Sequence, residues 1–214
     1  MKIKIKINIT LILFCCLSLQ TFAQIKIPKG YSELKESPAN GRKIDKVTIL
    51  FDNDAIKDVL MLIKKDTAFS SYKLLIYLSS FQKQFEVELF STNDFSIYPV
   101  QLKSNKNTVQ FGYFEDGTAT FGRFVTLRFN ATKNKIQVIG YDTGYKALPT
   151  EHIDKSYNLL TGKYIVKRTN INLNGTKKTQ EFSGKNDVFK NVVFIEDLKE
   201  KMYRNLDDVG SKYE

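Results

Sequence analysis

Alternation of apolar and polar positions governs the chain from Lys46 onward. Short alternating or apolar segments are divided by turn residues, which is the pattern of an antiparallel β protein. The segments that read as strands are Lys46 to Phe51, Asp58 to Lys64, Lys73 to Ser79, Phe85 to Phe90, Ile97 to Lys103, Thr108 to Phe114, Thr120 to Phe129, Lys135 to Tyr141, Lys163 to Leu173, Lys178 to Phe182 and Asn191 to Ile195. The longest alternation is Phe121, Arg123, Val125, Leu127 and Phe129, which puts four apolar side chains on one face of its strand. That face is expected to be core. Phe124 shares the other face with Gly122, Thr126 and Arg128, and is the candidate for a smaller cluster or an exposed aromatic contact.

Turn residues mark three connections. Asp116-Gly117 and Asn174-Gly175 suit the positive φ angles of type I′ turns, so each predicts a tight hairpin, and Asn130 to Asn134 joins the strands on either side of it. Helix is scarce. Ile195, Leu198, Met202 and Leu206 recur at spacings of three and four and predict a short C-terminal helix, ended by Gly210, with a polar tail from Ser211 to Glu214 that should fray. Residues 24–45, with Pro28, Pro38, Gly30 and Gly41, read as an irregular N-terminal arm. The expected fold is mainly β: an antiparallel sandwich or partial barrel of about ten strands with a short C-terminal helix, in one β-rich domain over 46–214.

The first 23 residues follow a different logic. Lys2, Lys4 and Lys6 precede an apolar run from Leu11 to Leu19, and Thr21-Phe22-Ala23 supplies small residues at positions −3 and −1 of a cleavage site before Gln24. That is the pattern of a secretory signal peptide, and its apolar run is too short to span a bilayer. A soluble exported protein, periplasmic or extracellular, is expected. Cys15 and Cys16 both lie inside the apolar run, and Phe14 before Cys15 is too large for a lipoprotein signal. Cleavage would leave 191 of the 214 residues and remove both cysteines, so disulfides, thiolate chemistry and Cys-based zinc sites are excluded from the mature chain. A chain of that length can bury a sufficient core without them.

The net charge is +10, or +7 without the three signal lysines, which favours anionic partners: a membrane surface or an acidic polysaccharide. The excess comes from 28 Lys against 5 Arg, in a chain also rich in Ile, Asn, Phe and Tyr. These are residues of AT-rich codons, so genome composition explains much of it. The five Arg are scattered and the longest basic runs are pairs, which argues against nucleic acid as a partner.

Most catalytic signatures are missing. His152 is the only histidine, which excludes a multi-histidine metal site and leaves at most a triad built on His152; it falls in Leu148 to Ile153, read as a loop. There is no Gly-x-Ser-x-Gly elbow and no Gly-rich phosphate loop. Ser32 to Lys35 and Ser70 to Lys73 match Ser-x-x-Lys, but the Ser-Asp-Asn and Lys-Thr-Gly partners of that chemistry are absent. Paired carboxylates for glycoside hydrolysis remain open, with no pair singled out among 23 acids.

The segment from Leu50 to Ile63 carries a more specific pattern. It resembles the start of an FG-GAP or VCBS-type repeat, in which an Asp-x-Asn-x-Asp-Gly-x-x-Asp loop binds calcium and leads into a strand. Asp52, Asp54 and Asp58 match its third, fifth and ninth positions, while Leu50 replaces the first acid and Ala55 the glycine. Calcium takes six to eight oxygens and a sharp turn at that glycine, so both departures weaken the site. Calcium is thus the single candidate cofactor, at Asp52, Asp54 and Asp58. Together with Phe124 to Phe129, Asn134 to Asp142 and Ser156 to Lys163, the segment is similar to a group of uncharacterised secreted bacterial proteins with one degenerate repeat of this kind before a β-rich body. The resemblance covers Val47 to Lys167 and implies a bacterial, exported protein; it carries no activity. A propeller needs about four or more blades, and one motif does not make one.

The expected function is therefore that of a non-catalytic β-rich cell-envelope protein with a binding or structural role, its partner an envelope protein or an anionic glycan. The alternative is a periplasmic inhibitor or immunity protein acting against a lytic enzyme or toxin.

Overall fold

The computed structural model describes residues 25–52, 54–67, 71–91 and 95–214. The expected signal segment, Asn53 of the acidic loop and Ser70 of the second Ser-x-x-Lys match lie outside the described residues.

Among the described residues, twelve strands form two antiparallel sheets, which meets the expectation of a mainly β fold. In the five-stranded sheet, β3 (Asp58–Lys65), β4 (Tyr72–Leu78) and β5 (Lys83–Glu88) are a meander. The free side of β3 is shared by two short strands, β1 (Tyr31–Glu33) against Ile63 to Lys65 and β2 (Val47–Ile49) against Asp58 to Leu60. The second sheet is a seven-stranded meander of β6 (Ile97–Asn105), β7 (Thr108–Glu115), β8 (Gly122–Asn130), β9 (Lys135–Leu148), β10 (Glu151–Asn158), β11 (Lys163–Ile171) and β12 (Lys177–Lys185). The strands do not close into a barrel.

One large core joins the inner faces of both sheets. Leu60, Leu62, Leu74 and Ile76 come from the first sheet, and Val109, Phe111, Val125, Leu127 and Ile136 from the second. The face assignment along β8 holds for Arg123, Val125, Leu127 and Phe129, all buried, while Phe121 is half-buried. β3 is apolar on both faces because it is covered twice. Its Met61 and Ile63, with Leu75 of β4, form a second cluster against Ile25, Ile27 and Tyr31 of the N-terminal arm. The arm is pinned there by a pair of hydrogen bonds: Lys26 N–H donates to Gln84 Oε1 and Gln84 Nε2 donates to Lys26 O, each at 2.9 Å. Residues 25–45 are thus less irregular than the reading of the arm expects, since β1 lies within them.

The C-terminus is also more ordered than its composition suggested. A 3₁₀ turn (Ile195–Asp197) leads into the helix α1 (Glu200–Asp207), whose Tyr203 and Leu206 enter the core on the inner side of the seven-stranded sheet. Gly210, at φ 81°, stops the helix. The tail does not fray, because Tyr213 stacks on Phe182 at 5.0 Å and Glu214 pairs with Lys155 at 2.6 Å.

Three further expectations are corrected. Asn191 to Ile195 is no strand: Asn191 takes a left-handed φ of 59° and Phe194 N–H donates to Asp197 Oδ2, leaving one bridge to Gln137. The segment around His152, read as a loop, is β10. Its alternation was hidden because two inward positions are the charged Glu151 and Lys155, each buried against a partner. The Asp116-Gly117 and Asn174-Gly175 turns are wider than two-residue hairpins, with Gly117 and Gly175 the glycines at positive φ and neither Asp116 nor Asn174 joining them.

Candidate functional site

Register places the chemistry. Across the outer face of the seven-stranded sheet, strand pairing aligns Gln101, Gly112, Phe124, Asp142, Ser156 and Ile165 in one transverse row. The adjacent row runs Phe114, Gly122, Gly144, Asp154 and Lys167. Phe114 covers Gly122 in the second row, so the low point lies at Gly144, which Asp154 overlaps, with Phe124 of the first row standing beside it. The result is a shallow depression of about 490 Å³, lined by Phe124, Asp142, Gly144, Asp154, Ser156, Ile165 and Lys167 among others.

Phe124 forms one wall. Its ring meets Phe114 edge to face, centroids 5.9 Å apart and planes at 87°. Both rings lie over glycines of the neighbouring strand: a Cβ on Gly112 would overlap Phe124, and one on Gly122 would come within 2.5 Å of the Phe114 ring. The pair therefore needs glycine on both strands, and it holds Phe124 in place while leaving it half-buried. This is the small outer cluster that the alternation along β8 predicts.

Asp142 forms the base. Gln110 Nε2 donates to Thr126 Oγ1 at 3.1 Å and reaches Asp142 Oδ2 at 3.4 Å, while Gln101 Nε2 donates to Gln110 Oε1 at 2.9 Å. Burial pushes the Asp142 carboxyl above its ordinary value, against the opposing effects of the Ser156 hydroxyl and the Lys103 charge. Asp154, more exposed, contacts His152 Nε2 at 3.0 Å. Lys167 turns to Glu181 at 3.3 Å on the next strand.

His152, Asp154 and Ser156 stand at alternate positions on the outer face of β10. Their order matters for catalysis. A hydrolytic triad needs the histidine between serine and acid, whereas here the acid is central and Ser156 lies four residues from His152, roughly 13 Å along a strand. These three do not form a nucleophile and base.

The inner face carries a second polar cluster. Arg123 pairs with Glu115 and, through Nη2 and Nε, with Asp207 of α1 at 2.7 and 3.3 Å. Tyr141 donates to Asp207 at 2.6 Å, Lys155 bonds Asp207 O and Glu214, and Tyr145 bonds Glu214 at 3.2 Å. Burial opposes the charge on Arg123, yet the surrounding tyrosines and Asp207 hold the guanidinium above its ordinary value. Burial pushes Tyr113, Tyr141 and Tyr203 up, and pushes Tyr145 up to about 12 with help from Glu214. Every charge in this cluster faces an opposite one, and its effect is to fasten α1 and the tail to the sheet.

Asp52, Asp54 and Asp58 are brought into one turn, where they serve the backbone. Asp58 is buried and accepts three N–H groups: Phe51 at 3.0 Å, Asp52 at 3.2 Å and Ser79 at 2.8 Å. Burial and the nearby Asp52 push its carboxyl up, against the pull of those donors. Asp52 accepts from Ser80 Oγ at 2.5 Å and from Asp54 N–H at 3.3 Å, and Asp54 Oδ1 accepts from Ile56 N–H at 2.6 Å. Among the described residues, no three His, Cys, Asp or Glu side chains gather as a set that could hold a metal ion.

No protein-family model, curated protein or solved structure matches this chain. Sequence reasoning named Phe124 but missed Asp142, Ser156 and Asp154 as its companions. All three fall outside the segments read as strands, and no signal along the chain sets which residue stands opposite which.

Proposed function

We propose that this chain is an exported, non-catalytic β-rich protein of the cell envelope, working in the periplasm or outside the cell, and that it binds its partner through the outer face of the seven-stranded sheet. The observation that carries the reading is the alignment of Phe124, Asp142, Ser156 and Ile165 beside a glycine-floored depression. A sheet needs one apolar face for its core, and its solvent face has no such requirement. An aromatic ring held over glycine, next to a carboxyl whose burial disfavours its charge, has a stability cost that packing alone does not require. Export rests on the pattern of the first 23 residues, and a non-catalytic role on the order of His152, Asp154 and Ser156 along β10.

Two measurements test it. Intact-mass analysis of the exported protein should give a chain starting at Gln24, and a diacylated species starting at Cys15 or Cys16 would refute that form of export. Pull-down from envelope extract should recover a partner with the parent protein and lose it with Phe124→Ala. A partner retained by Phe124→Ala would place binding elsewhere on the molecule.

A further inference from the structure

The depression differs from the rest of the surface in charge. The chain as a whole is strongly basic, at +10. The charged residues lining the depression are Asp142 and Asp154 against Lys155 and Lys167; Lys155 turns inward to Asp207 O and Glu214, Lys167 is engaged by Glu181, and the charge of Lys103 acts on Asp142 from β6. An anionic ligand would meet two carboxylates at short range, while the cations near them, Lys103 and Lys167, already act on Asp142 and Glu181. Such like-charge contact carries a penalty that the distant lysines, screened beyond about 8 to 10 Å of water and salt, do not offset.

The remaining groups define the ligand. Phe124 offers a half-buried aromatic surface already fixed by Phe114 and by Gly112, so little rotamer freedom is lost when something packs on it. Beside it stand Asp142, Ser156 and Asp154, acceptors and a hydroxyl that suit partners able both to donate and to accept. A ligand with an apolar C–H face and a rim of hydroxyl groups, and without charge, satisfies both sides. We infer that the depression is a subsite for a neutral polysaccharide, with one sugar ring against Phe124 and its hydroxyls on Asp142, Ser156 and Asp154. This rests on the binding reading above and names its ligand class.

The shape favours a chain over a single sugar. The row that includes Phe124 and Asp142 continues from Gln101 on β6 to Ser183 on β12, seven strands at about 4.8 Å spacing, or roughly 29 Å.

The test is affinity electrophoresis of the full chain as exported, in gels containing soluble β-glucan, xylan, mannan or galactan, and in parallel gels containing alginate or polygalacturonate. At least one neutral polysaccharide should retard it, with little change between low and high salt. Phe124→Ala should weaken retardation about tenfold or more. Ser156→Phe, at an exposed strand position, should do the same by filling the depression without removing the wall, and Phe81→Ala on another surface should have no effect. Far-UV circular dichroism confirms that each variant is folded. Retardation by the anionic chains alone, or retardation abolished by salt, overturns the neutral ligand class. Retardation untouched by both Phe124→Ala and Ser156→Phe overturns the site. If no polysaccharide binds while pull-down still depends on Phe124, the ligand class fails and the binding face stands. Shortened oligosaccharide products after incubation would keep the ligand and overturn the non-catalytic role.

Discussion

Replacing Arg123 by Met should be among the most damaging single changes in this protein. The side chain is 1% exposed and sits between Glu115, equally buried, and Asp207, which is 19% exposed. Met keeps most of the volume, so the cavity contribution is small and the loss is electrostatic. Breaking a buried pair by removing one partner costs about 3 to 5 kcal/mol, because a desolvated charge is left behind. Glu115 should contribute most of this, since Asp207 keeps the Tyr141 hydroxyl at 2.6 Å and some access to water. A figure of about 4 kcal/mol follows, equivalent to a fall of roughly 8 to 16 °C in Tm for a chain of this size. The assay is urea unfolding followed by circular dichroism and by tyrosine fluorescence, which is unobstructed because the chain has no tryptophan. Adding Glu115→Gln and Asp207→Asn to Arg123→Met should recover much of the loss, as replacing a whole buried ion cluster is often neutral. A loss below about 1 kcal/mol, or a triple variant no more stable than the single one, would refute the view that α1 is fastened by charge.

Other expectations follow from the same geometry. Leu127→Ala, in the core face of β8, should cost about 2 to 5 kcal/mol, whereas Phe124→Ala, half-buried in one aromatic pair, should cost about 1 to 2 kcal/mol; the reverse order in urea would overturn the face assignment. Tyr113, Tyr141, Tyr145, Tyr157 and Tyr203 all have phenols raised by burial. The unfolded chain therefore releases their protons first, and stability should fall as pH rises from about 10 towards 12 and beyond. Tyrosinate absorbance should show these five protected until the fold is lost, and titration of all 11 together near pH 10 in the folded protein would contradict it. Asp54→Ala should change thermal stability little, and added calcium should not raise Tm, since Asp58 and Asp52 are engaged by backbone and Ser80 donors. A calcium-dependent rise of several degrees, lost in Asp54→Ala, would show that other oxygens complete an ion site.

Local chemistry determined much of this protein on its own. Period-two alternation and turn residues were enough for a mainly β chain, for the core face of β8 and for the separation of Phe124 from it, because alternation is a property of neighbouring residues and survives in any sheet. The glycine stop at Gly210 was legible for the same reason, as only local backbone geometry is involved. Where a strand carried its charges inward, the same logic failed. β10 looked like a loop because Glu151 and Lys155 occupy core positions, and only Arg168, Asp207 and Glu214, brought from elsewhere in the chain, make those positions tolerable. The tail looked frayed because the partner of Glu214 lies 59 residues away. The candidate site belongs wholly to tertiary structure. Phe124 and Ile165 read as ordinary residues of their strands, Asp142 and Ser156 fall outside every segment read as a strand, and the meeting of the four depends on the registers of β8 to β11, including the irregularity between Thr126 and Leu127 where β8 meets β9. A one-residue slip turns a side chain to the opposite face, so pairing decides which side chains share a surface.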